Sequence, residues 1–334
     1  MRLRAWRWLP IVSLASLLLP ALAGSSAPVE PADARAWLAR IHAAANQRNY
    51  QGVLVFSAGG TLSSSRVAHF CVADHEYERY EALDGQQQRI YRVNDLVHTV
   101  WPQSRVAVVE RRSASSSLPS STQTVEPRAL EHYELKLENV DRVAGREAQV
   151  LLLQPRDTLR YAQRVWADKA TGLMLRTDVV GPNGVLESTA FSEVEIGVKP
   201  QPEGVKEALR KLDAEGYRKV QPQQQPTQLE AEGWALSRPV AGFRFAGCVK
   251  RTLEAPDQST SGAPVLQAVY SDGLTHVSVF IEPVDAGRSG PKLEQLGATG
   301  ALRVRYREQW WITVMGDVPA VTLQSFADAL ERRR

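Results

Sequence analysis

The stretch VWADKATGLMLRTDVVGPNGVLESTAFSEVEI (165–196) restricts the fold more than any other part of the chain. It holds three strand-like segments joined by two glycine-containing turns. Leu173, Leu175 and Val179 fall on one face, Arg176 and Asp178 on the other. Beyond the GPNG turn, Leu186, Ala190 and Val194 alternate with Glu187, Glu193 and Glu195. A period of two with one apolar and one wet face predicts an antiparallel meander covered on one side. The stretch offers no arrangement of residues that would do chemistry.

The meander closes a long series of similar runs. In NYQGVLVFS, Tyr50, Leu54 and Phe56 share one face and Val53 and Val55 the other, so this strand is expected to be buried on both sides. RVAHFCV, HEYERYEAL, QQRIYRV, LVHTVWP, RVAVVERR, YELKLENVDRV and EAQVLLLQP follow, separated in places by turn pairs such as Asp84-Gly85 and Asn94-Asp95. Nine to eleven strands therefore precede residue 197. Only one long helix accompanies them, over 33–48, with Asp33 as its cap and Trp37, Ile41 and Ala45 on one face. A long curved antiparallel sheet with a helix against its concave side fits this inventory.

SASSSLPSSTQT (113–124) lacks apolar periodicity and reads as a loop, either a spacer or a lid. A short amphipathic helix over 202–217 carries Val205, Leu209 and Leu212 on one side. The polar, Pro- and Gln-rich run 218–232 then predicts an exposed connector. From 233 the pattern changes to five strand candidates and a final helix after Asp317 and Pro319, with Leu323, Phe326 and Leu330 as its buried stripe. The expected class is α+β in two parts, a β-sheet domain (24–200) and a smaller α+β domain (233–334), joined by a helix and linker (201–232).

The N-terminus supplies an address. In MRLRAWRWLPIVSLASLLLPALAGSS, Arg2, Arg4 and Arg7 precede an apolar run from Leu9 to Leu19 and a small-x-small site at Ala21-Leu22-Ala23. This is the pattern of a secretory signal peptide (1–23), with an apolar run shorter than the ~20 residues of a spanning helix. Those three arginines, with no acid beside them, account for the whole formal charge of +3, so the exported chain is neutral. Nucleic acid is accordingly not expected as a partner. The two cysteines, Cys71 and Cys248, lie in different halves. They read either as a disulfide tying the halves together or as two free thiols.

Catalytic signatures are missing. None of the six histidines sits in HExxH or at a ligand spacing with the cysteines, and His75-Glu76 lacks a second histidine. There is no G-x-S-x-G elbow, P-loop or G-x-G-x-x-G. A non-enzymatic protein without metal or cofactor is expected. Apolar surface is the remaining resource. Val53, Val55, Phe70, Val97, Val100 and Trp101 are candidates for the lining of a container for acyl chains, where each buried CH₂ contributes roughly 0.8 kcal/mol. Ordinary core against the helix at 33–48 accounts for each of them equally well. Trp310 and Trp311 are adjacent on one strand and must point to opposite faces, one into the small core and the other outward or toward the other domain.

The order of these features resembles the MucB/RseB family of periplasmic regulators of the envelope-stress sigma factor. The resemblance rests on NYQGVLVF, RYAQRVWADKATGLMLRTDVVGPNGVLESTAFSEVEIG, GWALSRPVAGF, YSDGLTHVSVFIE and QWWITVMGDVPAVTLQSFADAL, and spans nearly the whole exported chain. It implies a large domain similar to the lipoprotein carriers LolA and LolB, an unclosed barrel, followed by a small domain. It also implies binding to the periplasmic part of an anti-sigma factor of the RseA or MucA kind. That binding would shield the anti-sigma factor from site-1 proteolysis until lipopolysaccharide or lipoprotein acyl groups release it. No catalytic residue transfers with the resemblance. Tyr270, Asp272 and Phe280 of YSDGLTHVSVF, with Trp310 and Trp311, are the candidates for a partner surface, and turn or core positions are their alternative. A homo-oligomer is compatible with the sequence. The competing function is a lipid or lipoprotein carrier, for which the small domain would be superfluous.

Overall fold

Alternating apolar residues and turn residues at short intervals produce strands almost throughout. The computed structural model describes residues 31–111, 125–252, 264–284 and 290–333; the expected leader (1–23) and serine-rich loop (113–124) lie outside them. Helix α1 (Pro31–Gln47) is followed by β1 (Tyr50–Ala58), β2 (Thr61–Val72), β3 (His75–Ala82), β4 (Arg89–Val93), β5 (Leu96–Trp101) and β6 (Val106–Arg111). A 3-10 turn at Pro127–Glu131 leads into β7 (Tyr133–Val143), β8 (Arg146–Pro155), β9 (Ala162–Asp168), β10 (Met174–Gly181) and β11 (Gly184–Ile196). Then come α2 (Glu203–Ala214), β12 (Arg218–Val220), β13 (Gln224–Pro226), β14 (Trp234–Leu236), β15 (Arg244–Thr252), β16 (Pro264–Ser271) and β17 (His276–Pro283). The chain ends with β18 (Lys292–Leu296), β19 (Thr299–Tyr306), β20 (Trp310–Gly316), α3 (Ala320–Ala329) and β21 (Leu330–Arg332).

The first sheet has twelve strands in the order β12-β6-β5-β4-β3-β2-β1-β11-β10-β9-β8-β7. Its end strands β12 and β7 do not pair, so the sheet is unclosed, as expected. All its pairs are antiparallel except β12 with β6. The second sheet runs β13-β15-β16-β17-β20-β19-β18, and β14 pairs with β21. The connector, expected to be exposed, is exposed along most of its length, and it also contributes β12 to one sheet and β13 to the other, because polar residues with free backbone groups complete the edge strands of both.

Each face of the large sheet has its own cover. α1 presents Leu38, Ile41 and Ala44, a stripe shifted from the expected Trp37-Ile41-Ala45. It starts at Pro31, two residues before Asp33, and a proline suits a first helical turn. Leu38 and Ile41 pack on Tyr133, Leu135, Leu151 and Val165. α2 buries Val205 and Leu212 against Phe70, Tyr77, Tyr91 and Val100. The expected wet face of the 165–196 meander is not wet at its centre. Asp178 is buried, held by Arg176 at 2.7 and 2.8 Å and by Ser188 at 2.6 Å, while the Arg176 guanidinium lies 4.5 Å over the Trp166 ring. A buried carboxylate is tolerated there because it is paired and fully hydrogen-bonded.

A second polar island lies on β2, β3 and β4. His69 stacks on Tyr50 (5.1 Å between centroids, 8° between planes), and its Nδ1 meets Glu78 Oε1 at 3.1 Å. Arg92 spans Glu78 (3.2 Å) and Glu76 (3.5 Å). Burial alone would lower the His69 pKa, but hydrogen bonds with Cys71 and Glu78 and the charges of Glu78 and Glu76 outweigh it and hold it at about 9. The folded pKa is thus raised above the usual 6.5. The stabilisation is fully present below pH ~6.5 and is lost as pH rises through about 9. Its size is on the order of 3 kcal/mol. Urea unfolding should show this loss between pH ~6.5 and ~9.5 in the native chain, and a flatter profile in His69→Gln. Parallel profiles for the two proteins would contradict the assignment.

Candidate functional site at the seam between the two sheets

The two sheets hold each other through a reciprocal exchange of turns. The β16–β17 turn, Ser271-Asp272-Gly273-Leu274-Thr275, enters the large unit. Leu274 is buried in the cluster formed by Val125, Ala129, Tyr133 and Leu135. The Gly273 carbonyl accepts the backbone N–H of Glu126 (2.8 Å), and Arg128 donates to the Ser271 carbonyl (3.2 Å). Gly273 has φ +97°, and a Cβ there would stand 3.1 Å from the Ala129 nitrogen, so both the backbone conformation and the close approach require glycine. In return, Leu159 of the β8–β9 turn packs on the core of the small unit, where the Thr322 hydroxyl of α3 donates to its carbonyl at 2.7 Å.

At the centre of the seam Arg160 of one unit meets Asp272 of the other. Their Nε–Oδ2 distance is 2.7 Å and both side chains are fully buried. Each nitrogen of Arg160 and each carboxylate oxygen of Asp272 has a hydrogen-bond partner. Arg160 also binds the Asp157 carboxylate and the Ala241 carbonyl (2.9 Å), and its guanidinium lies 4.7 Å over Phe243. Asp272 Oδ1 accepts the backbone N–H groups of Leu274 and Thr275 at 2.8 Å each, and Tyr133 donates to Oδ2 at 3.2 Å. Burial, then the nearby Asp272 charge, pushes the Tyr133 phenol well above its ordinary range, so it remains a donor. Farther along, a cleft of about 710 Å³ opens between the units. Leu96, His98 and Val109 line it from the large sheet, Lys219, Pro222 and Pro226 from the connector, and Val249 from the small sheet.

The residues singled out from sequence do not assemble as expected. Strand register puts Val53, Val55, Phe70 and Val100 on the face that α2 covers, and Val97 and Trp101 on the opposite face. They form no common lining. Phe70 and Val100 are closed off by α2, Val97 is fully buried, and Val53 borders a groove of about 400 Å³ whose other walls include Arg66, Arg79, Glu193 and Glu195. The partner-surface candidates separate as well. Asp272 is the seam anchor, Tyr270 is core against Phe326, and Trp311 is buried under Arg303 and Arg305 on the outer sheet face. Trp310 points the other way, edge-on to Trp234 at 5.6 Å, and Phe280 lies beneath Arg251. The opposite orientation of the two tryptophans is as expected; an exposed aromatic patch is not formed, because arginine side chains cover the outward rings. Sequence reasoning missed Arg160, Leu159, Gly273, Leu274 and Thr322. The signal that was available was the Asp-Gly-Leu turn, whose apolar residue has no place in a solvent-exposed hairpin tip.

Both cysteines are free thiols, Cys71 on the large sheet and Cys248 in the small core. Among the described residues no helix is long and apolar enough to cross a membrane.

An unclosed twelve-stranded sheet locked by exchanged turns to a small α+β unit defines a two-part protein whose distinctive surface is the joint. The chain belongs to the MucB/RseB family: residues 33–209 match the MucB/RseB N-terminal domain and 228–331 the MucB/RseB C-terminal domain. It is 29% identical over 310 residues to the sigma factor AlgU regulatory protein MucB of Pseudomonas aeruginosa, covering 89% of this chain and 90% of that one. It is 24% identical over 269 residues to the sigma-E factor regulatory protein RseB of Haemophilus influenzae, covering 80% and 82%. Among solved structures, MucB from the Pseudomonas aeruginosa MucA/MucB complex superposes with a TM-score of 0.68 at 27% identity, over 90% of this chain and 99% of that chain.

Removing one member of a buried ion pair leaves the other uncompensated and costs about 3–5 kcal/mol. Asp272→Ala should therefore lower stability by that amount in urea unfolding and split one transition into two as the units uncouple. A single transition shifted by less than about 1 kcal/mol would contradict the reading of the seam.

Proposed function

We propose that this chain is a non-enzymatic periplasmic regulator. It binds the periplasmic region of a RseA/MucA-like anti-sigma factor, shields it from site-1 proteolysis and so restrains an envelope-stress response. Lipopolysaccharide or lipoprotein acyl groups release it. The observation that supports this most strongly is the superposition over 90% of this chain on MucB from MucA/MucB complexes, at TM-scores of 0.68 and 0.67. The division of labour assigns acyl sensing to the large unit (24–200), partner contact to the small unit (233–334), and their coupling to the helix and connector (201–232).

The physical form of the regulation is linkage. A ligand frees the partner only by binding the partner-free arrangement better than the partner-bound one. Both sheet faces carry a helix here, so an acyl chain reaches Phe70 or Val100 by displacing α2 from the apolar surface under Val205 and Leu212. Loss of α2 pulls on β12, which follows it directly and pairs with the edge of the large sheet. Ligand entry and the inter-unit connector are thereby mechanically joined.

Calorimetry with the periplasmic segment of the host's anti-sigma factor tests this. Binding should be tight, should protect the segment from the site-1 protease, and should weaken when lipopolysaccharide is added. Absence of binding, with acyl ligands still taken up, would leave a lipid carrier and overturn the regulator reading.

A further inference from the structure

One apolar row of the small sheet runs out to its open edge. Cys248, Ala268, Val279, Val314, Leu302 and Leu293 lie opposite one another in register, strand after strand, on the face that forms the core. The first five are buried, whereas Leu293 on β18 is 55% exposed. β18 is the terminal strand of its sheet, and all five of its side chains are exposed. Alternate backbone N–H and C=O groups along its outer edge therefore have no strand partner among the described residues.

We propose that this edge pairs with the same edge of a second copy of the chain, β18 against β18, antiparallel across a two-fold axis centred on Leu293. The charges on the strand select that register. A two-fold axis perpendicular to the sheet returns each side chain to its own face, so it must pass beside a residue and not between two. Centred on Leu293, it sets Lys292 opposite the second copy's Glu294, and Glu294 opposite the second copy's Lys292. Centred on Lys292 or Glu294, it would oppose like charges, and centred on Gln295 it would set Glu294 against a leucine. Within one copy Lys292 and Glu294 pair along the strand, at 57% and 61% exposure, and both can turn across the edge. A lysine on an edge strand ordinarily discourages a second strand. Here an acid two residues away makes the edge complementary to itself. The two leucines then cover each other, and the apolar row continues from one core into the next. Pro291, which has no N–H to donate, confines the ladder to this short strand. Two strands of five residues make a small contact, so the pairing is reversible and belongs to micromolar or higher protein concentrations. It needs neither an anti-sigma partner nor an acyl ligand.

The test is sedimentation of the exported chain over about 1–300 µM, where a monomer–dimer equilibrium is expected. Glu294→Lys and Lys292→Glu each oppose like charges twice across the axis, and each should weaken dimerisation at least about tenfold. Both positions are exposed, so the fold tolerates the changes. An equimolar mixture of the two single variants should dimerise again as a mixed pair, and so should the double variant. In a Cys71→Ser, Cys248→Ser background, mild oxidation should join two copies of Leu293→Cys and leave Lys292→Cys unjoined, because only residue 293 faces itself. A native chain that remains monomeric at about 300 µM would overturn the proposal and leave the edge to a strand of another protein. A dimer that Glu294→Lys does not weaken, or one that the mixture does not restore, would place the contact elsewhere and overturn it as well.

Discussion

A buried ion pair between two structural units is costly to assemble and more costly to break, and the Arg160–Asp272 pair carries both halves of this molecule. Each charge leaves water only because the partner, two backbone N–H groups, a phenol and a carbonyl replace its hydration. Those replacements come from four segments that are distant in sequence. The pair therefore forms only when both sheets are in place and in one orientation. The apolar insertions on either side, Leu274 into the large unit and Leu159 into the small one, supply the attraction. The ion pair supplies the register.

This division explains why an unclosed sheet is stable. The large sheet buries one face under α1 and the other under α2, but its β7 edge region, with Tyr133 and the 3-10 turn at Pro127–Glu131, would expose Ala129 and Val125 without Leu274. The small unit in turn relies on Leu159 and on the hydrogen bond from Thr322 to close the end of its core. Each unit completes the other, so a change in their relative orientation must be coupled to events at the faces of both. In the proposed function, that coupling is the means by which an acyl ligand on one unit alters a protein contact on the other.

Much of the architecture was legible because strands announce themselves by alternation. Runs such as RVAHFCV and LTHVSVFIEP mark β2 and β17, and the GPNG turn marks the β10–β11 hairpin. The final helix stripe of Leu323 and Phe326 was equally plain, since its period is helical and it follows a proline. What alternation cannot show is which face another part of the chain will cover. Asp178 alternates as a surface residue should, yet it is buried because Arg176 and Ser188 reach it. Asp272 reads as a hairpin-tip residue and is a seam anchor for the same reason: its partner, Arg160, lies 112 residues away. Strand β18 escaped notice because its side chains are all exposed and carry no apolar period. The short strands β12 and β13 are polar edge pieces fixed by backbone pairing alone, which leaves no trace in side-chain pattern.

The central claim is that the buried seam sets the orientation of the two units and that ligands act by changing it. Spin labels at Glu147 and Glu294, both exposed and one on each unit, would report it directly as a distance distribution in a Cys71→Ser, Cys248→Ser background. The account predicts one narrow distance in the otherwise native chain, a broad or displaced one when Asp272 is replaced by alanine, and a shift away from the native distance when lipopolysaccharide is added. The same narrow distance under all three conditions would contradict it.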